Sequence, residues 1–155
     1  MFTKILIASD LSEASNEMIR CTQGLRLLGS REAILFHALR IRHLEDMKYE
    51  LQRQAEPQLQ KQKDQLEAIG FATKIEIAPS ETAFELERAA RKEDVSLVVI
   101  ATHGKSLLQH ALLGGEATKI LQHHTKPVLV VRMAVVEGEG ERKCEARFIH
   151  LSISR

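Results

Sequence analysis

Five short apolar runs, separated by stretches of helical periodicity, constrain this chain more than any other feature of its sequence. They are "KILIASD" (Lys4–Asp10), "EAILFHAL" (Glu32–Leu39), "ATKIEIA" (Ala72–Ala78), "VSLVVIA" (Val95–Ala101) and "KPVLVVR" (Lys126–Arg132). Near-continuous apolar runs of this length suit strands buried on both faces. "ATKIEIA" alternates instead, as a half-exposed strand near a sheet edge does. Between the first two runs, Ala14, Met18, Cys21, Leu25 and Leu28 recur at spacings of four and three, which is one helical face. Ser12 is placed to cap that helix and Gly29 to stop it. A second stripe passes through Leu44, Met47, Leu51, Ala55, Leu59, Leu66 and Ile69 and ends at Gly70. Pro57 interrupts it, so a kink or a break into two helices is expected there. "PSETAFELERAARKED" and "GEATKILQHH" read as the remaining helices.

Strand and helix thus alternate as far as Arg132. Helical crossovers between neighbouring apolar strands predict a three-layer α/β sandwich: a five-stranded parallel sheet with helices on both faces. At 155 residues the chain fits one such domain, burying roughly 70% of the surface its unfolded form exposes. Residues 1–132 are taken as that domain and 133–155 as a linker and C-terminal extension. The extension begins with the charged "EGEGERK". It ends in "CEARFIHLSISR", whose apolar and polar residues alternate as in a strand. An added edge strand, a segment exchanged with a partner chain and the opening of a second unit all remain open for it.

Composition excludes several function classes. With 22 basic and 21 acidic residues the formal charge is +1, so attraction to nucleic acid or an anionic membrane does not dominate. No apolar run approaches the roughly 18 residues that span a bilayer, and the N-terminus lacks a cleavage-site pattern. Cys21 and Cys144 stand far apart, in no metal-like spacing. Both are read as reduced thiols of a cytoplasmic protein.

In an open parallel sheet, ligands bind beyond the carboxyl ends of the strands, at a switch point in strand order. Asp10 and the loop after Ala101 both lie at such ends. Helix N-termini there offer unpaired N–H groups to an anion. Gly104, Gly114 and Gly115 would let the backbone approach a ligand closely. A nucleotide suits this arrangement, with Asp10 accepting from a ribose hydroxyl and the Gly114 region holding phosphate. The same glycines also serve as turn formers, and an Asp after a strand also caps a helix. "HGKS" is not a P-loop, because position 99, where that motif needs its first glycine, is Val. His103 lies at the mouth of the expected pocket. No nucleophile elbow is present, and the adjacent His123 and His124 diverge too much to share a metal ion.

From Lys4 to about Arg132 the chain resembles the universal stress protein family, related to the adenine-nucleotide α-hydrolase-like fold. "KILIASDLSEAS", "ILFHAL" and "LVVIATHGKSLLQHALLGGEATKILQHHTKPVLVV" carry the resemblance. Nucleotide-binding members hold Gly-x2-Gly-x9-Gly-Ser/Thr. Gly104 and Gly114 keep two of these positions, Ala101 replaces the first glycine and Gly115 the terminal hydroxyl. The resemblance implies that Asp10 contacts the ribose and that backbone around Ala8 and Ala38 lines the adenine pocket, with Ser9 among the site residues. It implies ATP or AMP as the ligand, with Mg accompanying ATP.

The departures weaken this binding. Loss of a hydroxyl that donates to phosphate costs about 1.5–3 kcal/mol, roughly ten- to a hundredfold in affinity. Glu116 sets a carboxylate where phosphate would sit, partly offset by Lys105, so AMP suffers less than ATP. Family members commonly dimerise through the final strand, which implies a homodimer across Val128, Leu129, Val130 and Val131. An apolar edge there, left unpaired, would be a liability. The expected function is a non-enzymatic stress-response regulator binding an adenine nucleotide weakly or conditionally. A dimeric interaction module with an empty pocket is the alternative. A slow ATP hydrolase is a third reading, with Asp10 or His103 as the available water-activating groups.

Overall fold

The computed structural model describes residues 1–39, 46–80, 83–103, 122, 124–135 and 142–150. Its elements in chain order are β1 (Lys4–Ala8), α1 (Glu13–Cys21), α2 (Gln23–Leu27), β2 (Glu32–Ala38) and α3 (Asp46–Ile69). They continue with β3 (Ala72–Ala78), α4 (Ala83–Lys92), β4 (Leu97–His103), β5 (Val128–Val135) and β6 (Arg142–His150). The expected helix "GEATKILQHH" lies largely outside the described residues.

The strands form one sheet in the order β3-β2-β1-β4-β5-β6. The first five are mutually parallel and β6 pairs antiparallel with β5. Strand periodicity divides the core in two. Ile5 and Ile7 point to a cluster with Met18, Ile19 and Leu59, under α1 and α3. Leu6, between them, points to the opposite cluster with Leu86 and Ala90 of α4. Helices therefore cover both faces, and the expected three-layer architecture is present.

Two helices differ from expectation. The first stripe is divided at Thr22, whose hydroxyl donates to the Ile19 carbonyl at 2.6 Å and competes with continued helix pairing. Leu28 lies past the end of α2 and is 60% exposed, so it is not a core residue. Gly29, at φ 100°, completes the stop. Conversely, α3 runs unbroken through Pro57. A proline deletes one N–H, and the buried Ala55 and Leu59 on either side hold the helix against the sheet. Met47, in the first turn of α3, is 52% exposed.

Of the three readings of the tail, the added strand is the one observed. Because β6 occupies the outer edge of β5, Val128–Val131 do not form an open edge in this chain. The reason given by the sequence for a homodimer there falls away. α1 runs beside β6, and Cys21 at its end is disulfide-bonded. This corrects its reading as a reduced thiol: the tail folds back onto the domain instead of trailing from it. The chain's other cysteine, Cys144, belongs to β6 and stands opposite Met133 in the register.

The lead into β5 is fastened to α4 through Glu87. Its carboxylate accepts from the Thr125 hydroxyl at 2.6 Å and the Thr125 amide at 3.2 Å, and pairs with Arg91. Burial pushes the Glu87 carboxyl up, but the bonds from Thr125 and Arg91 and the charge of His124 outweigh it, so its pKa falls below 4.5. His124 is 2% exposed. Its Nδ1 lies 2.8 Å from Glu87 Oε2, yet neither ring nitrogen has a well-angled partner among the described residues. Burial holds its pKa below 6.5 despite the nearby carboxylate, with Arg91 adding to the depression. His124 is thus a buried ring whose charged form burial disfavours.

Both shifts have the same sign for stability. The unfolded chain protonates His124 first as pH drops below 6.5, and protonates Glu87 first below 4.5. Folding free energy should be fullest above pH 6.5 and decline on acidification. In urea titrations from pH 8 to 5, His124→Phe should flatten that decline relative to the parent chain. Parallel pH profiles would assign it to other groups.

Candidate functional site

The order of the parallel strands reverses at β1, which pairs with β2 on one side and β4 on the other. In such a sheet the switch point lies beyond the carboxyl ends of β1 and β4. The β1–β4 register ends at Ala8 opposite Ile100, so Ser9 and Asp10 leave β1 at the end where Ala101 continues β4. Ala38 ends β2 next to this point, and the Ser9 amide donates to the Phe36 carbonyl at 2.8 Å. Ala8, Ser9, Asp10, Ala38 and Ala101 thus all lie at the carboxyl ends of three neighbouring strands. His103 ends β4 on the same rim. Gly104, Lys105, Gly114, Gly115 and Glu116 lie outside the described residues.

The turn after β1 is built tightly. Leu11 adopts φ 63°, an uncommon left-handed conformation for a residue with a Cβ. Its side chain packs against the core, which anchors the turn. The exposed Asp10 accepts from the Ser15 hydroxyl at 2.6 Å and from the Ser12 amide at 2.9 Å. The Ser12 hydroxyl in turn accepts from the Ser15 amide at 3.3 Å, capping α1 as expected. The helix cap is therefore Ser12, and Asp10 braces the turn ahead of it with its carboxylate fixed in direction.

Behind this turn a polar chain runs from the buried Ser9 and Gln62 out to the exposed Asn16. The Ser9 hydroxyl accepts from the Leu11 amide at 3.2 Å and donates to Gln62 Oε1 at 2.7 Å. Gln62 Nε2 then donates to Asn16 Oδ1 at 2.7 Å. The Ser9 carbonyl lies 2.8 Å from His37 Nδ1. A carbonyl can only accept, so His37 carries its proton on Nδ1 in the neutral form. Gln62 is 2% exposed and links α3, α1 and the β1 turn through one side chain.

Sequence reasoning missed Gln62, Asn16 and His37. The signal was present for Gln62: positions 55, 59, 62, 66 and 69 form one stripe of α3, and 62 is its polar member. A polar residue at a core position must have partners.

Residues 1–132 match the model of the universal stress protein family. The chain belongs to the universal stress protein family. Universal stress protein MJ0577 of Methanocaldococcus jannaschii is 26% identical, over 85% of this chain and 96% of that protein. Its solved structure superposes with a TM-score of 0.76 at 28% identity, covering 88% of this chain and 99% of that one. Two more distant members share the fold. One, from Archaeoglobus fulgidus, was solved in complex with dAMP (TM-score 0.64, 19% identity, 83% of this chain, 97% of that one). The other was solved in complex with cAMP (TM-score 0.66, 17% identity, 84% and 97%).

Removing the Gln62 amide takes away the acceptor of the buried Ser9 hydroxyl. Gln62→Leu should destabilise the fold by about 1–3 kcal/mol in urea denaturation. A double-mutant cycle with Ser9→Ala should give a coupling of about 0.5–3 kcal/mol. Strict additivity would mean that the two side chains act independently.

Proposed function

We propose that this universal stress protein is a non-enzymatic regulator that binds an adenine nucleotide, AMP in preference to ATP, at the β1–β4 switch point. The observation that carries this reading is the placement of Asp10. Its carboxylate is exposed at the strand-order reversal and aimed by Ser12 and Ser15. There it is set to accept from a ribose hydroxyl, with the backbone of Ala8 and Ala38 beside it for the base. The dAMP and cAMP complexes of the distant members agree with this ligand class. The phosphate side would come from Gly104, Lys105 and Gly114. Gly115 and Glu116 would make the affinity low, and Mg would accompany ATP alone.

One observation favours a second reading, an interaction module of the same fold without a ligand. Asp10 already accepts from the Ser12 amide and the Ser15 hydroxyl, closing the turn ahead of α1, which gives its carboxylate a structural role of its own. Thermal-shift measurements with millimolar AMP and ATP, with and without magnesium, separate the two. Stabilisation follows RT ln(1 + [L]/Kd), about 2.7 kcal/mol when ligand is a hundred times Kd. AMP should raise the melting temperature more than ATP does. No shift with either would leave the interaction module standing.

The phosphate placement has its own test. Gly115→Ser combined with Glu116→Val should tighten ATP binding at least tenfold in isothermal titration, since a donor is gained and a repelling charge removed. An unchanged affinity would remove residues 115 and 116 from the site.

A further inference from the structure

Ser9 is the last residue before the Asp10 carboxylate, and every polar group it carries is held. Its amide donates to the Phe36 carbonyl at 2.8 Å. Its carbonyl accepts from His37 Nδ1 at 2.8 Å. Its hydroxyl donates to Gln62 Oε1 at 2.7 Å and accepts from the Leu11 amide at 3.2 Å. β2 thus grips the backbone and α3 the side chain. The amide bond continues the sheet and needs no particular residue. The bonds to His37 and Gln62 depend on those two side chains.

Gln62 is the more demanding of the pair. It is 2% exposed, on the stripe of α3 that carries Ala55, Leu59 and Leu66 into the core. A leucine or methionine there would fill the space with no amide to satisfy. Replacing both partners of a buried hydrogen bond by apolar groups is often neutral or stabilising, so stability alone does not call for a glutamine.

What the amide adds is direction. Gln62 Oε1 fixes the Ser9 hydroxyl, whose oxygen takes the Leu11 amide in a turn where Leu11 holds φ 63°. Asp10 stands between Ser9 and Leu11. Its amide donates to Ser15 Oγ at 3.2 Å, and its carboxylate accepts from Ser12 and Ser15. The other end of the Gln62 amide is tied too, with Nε2 donating to Asn16 of α1 at 2.7 Å. One side chain therefore braces the Asp10 turn against both α3 and α1.

We propose that Gln62, acting through Ser9, is a positioning residue for the carboxylate that reads the sugar. It sets how strongly the site distinguishes a ligand bearing ribose hydroxyls from one lacking them. This inference rests on the nucleotide reading above and gives α3 a part in that site. A hydrogen bond to a carboxylate weakens steeply as its angle closes, and a binding group must be held to within about 0.5 Å by the residues behind it. A merely structural role would instead weaken every ligand alike.

NMR titration with AMP and with 2′,3′-dideoxy-AMP isolates the contribution of the sugar hydroxyls, even at millimolar affinity. The parent chain should prefer AMP about tenfold or more, as a bond to a charged group implies, and Asp10→Ala should abolish that preference. Gln62→Met, which stays apolar and long but loses the acceptor, should cut it to about threefold or less. Binding of dideoxy-AMP should stay within about twofold of the parent.

Equal weakening of both ligands in Gln62→Met, or no change in either, would overturn the proposal and leave the nucleotide reading intact. So would a parent chain that binds both ligands equally well. A parent that binds neither removes the nucleotide reading, and this inference with it. If Gln62→Met does not fold, Ser9→Ala breaks the same bond from its other end. A reduced preference for AMP in that variant supports the proposal, and an unchanged preference overturns it.

Discussion

Burial of the parallel strands on both faces is the constraint from which the rest of the molecule follows. A strand such as β1 can sit between two helical layers only if both its odd and its even residues are apolar, as Ile5, Leu6 and Ile7 are. Polar groups are then expelled to the strand ends, where the backbone turns. The reversal of strand order at β1 gathers those ends at one place. Asp10 and the end of β4 lie at the same end of the sheet for that reason.

The same constraint explains the sheet's edges. β3, at one end, alternates, and its outward residues carry charge: Lys74 pairs with Glu93, and Glu76 with Lys92. β5 has no such residues between Val128 and Val131, so it cannot be a bare edge, and the chain supplies β6. Glu93 also holds Lys4, tying the N-terminal end of β1 to the turn after α4. Hydrogen bonds from Lys74 chief among these contacts keep the Glu93 carboxyl below its ordinary range.

Much of this was legible in the sequence because apolar periodicity reports burial directly. All five parallel strands, the cap at Ser12, the stop at Gly29 and the edge character of β3 follow from residues read in place. Three features were not legible, each because its cause is non-local. Thr22 divides the first helix through a bond to a carbonyl that any helix would offer. Pro57 fails to break α3 because packing on either side outweighs one missing donor. Cys21 and the tail are brought together by a strand whose pairing partner is not fixed by its own alternation. At the candidate site, Asp10 and Ala101 were read from their positions at strand ends, and Ala8 and Ala38 from the family resemblance. Gln62 was overlooked because a polar residue within an apolar stripe reads as a gap in the pattern, when it is a contact.

That contact ties the turn to a long helix. α3 has 24 residues, and the stretch from Gln62 back to Asp46 spans about 24 Å at 1.5 Å per residue. Through Gln62 the aim of a surface carboxylate is thus coupled to the seating of a rod that Ala55, Leu59 and Leu66 bed in the core.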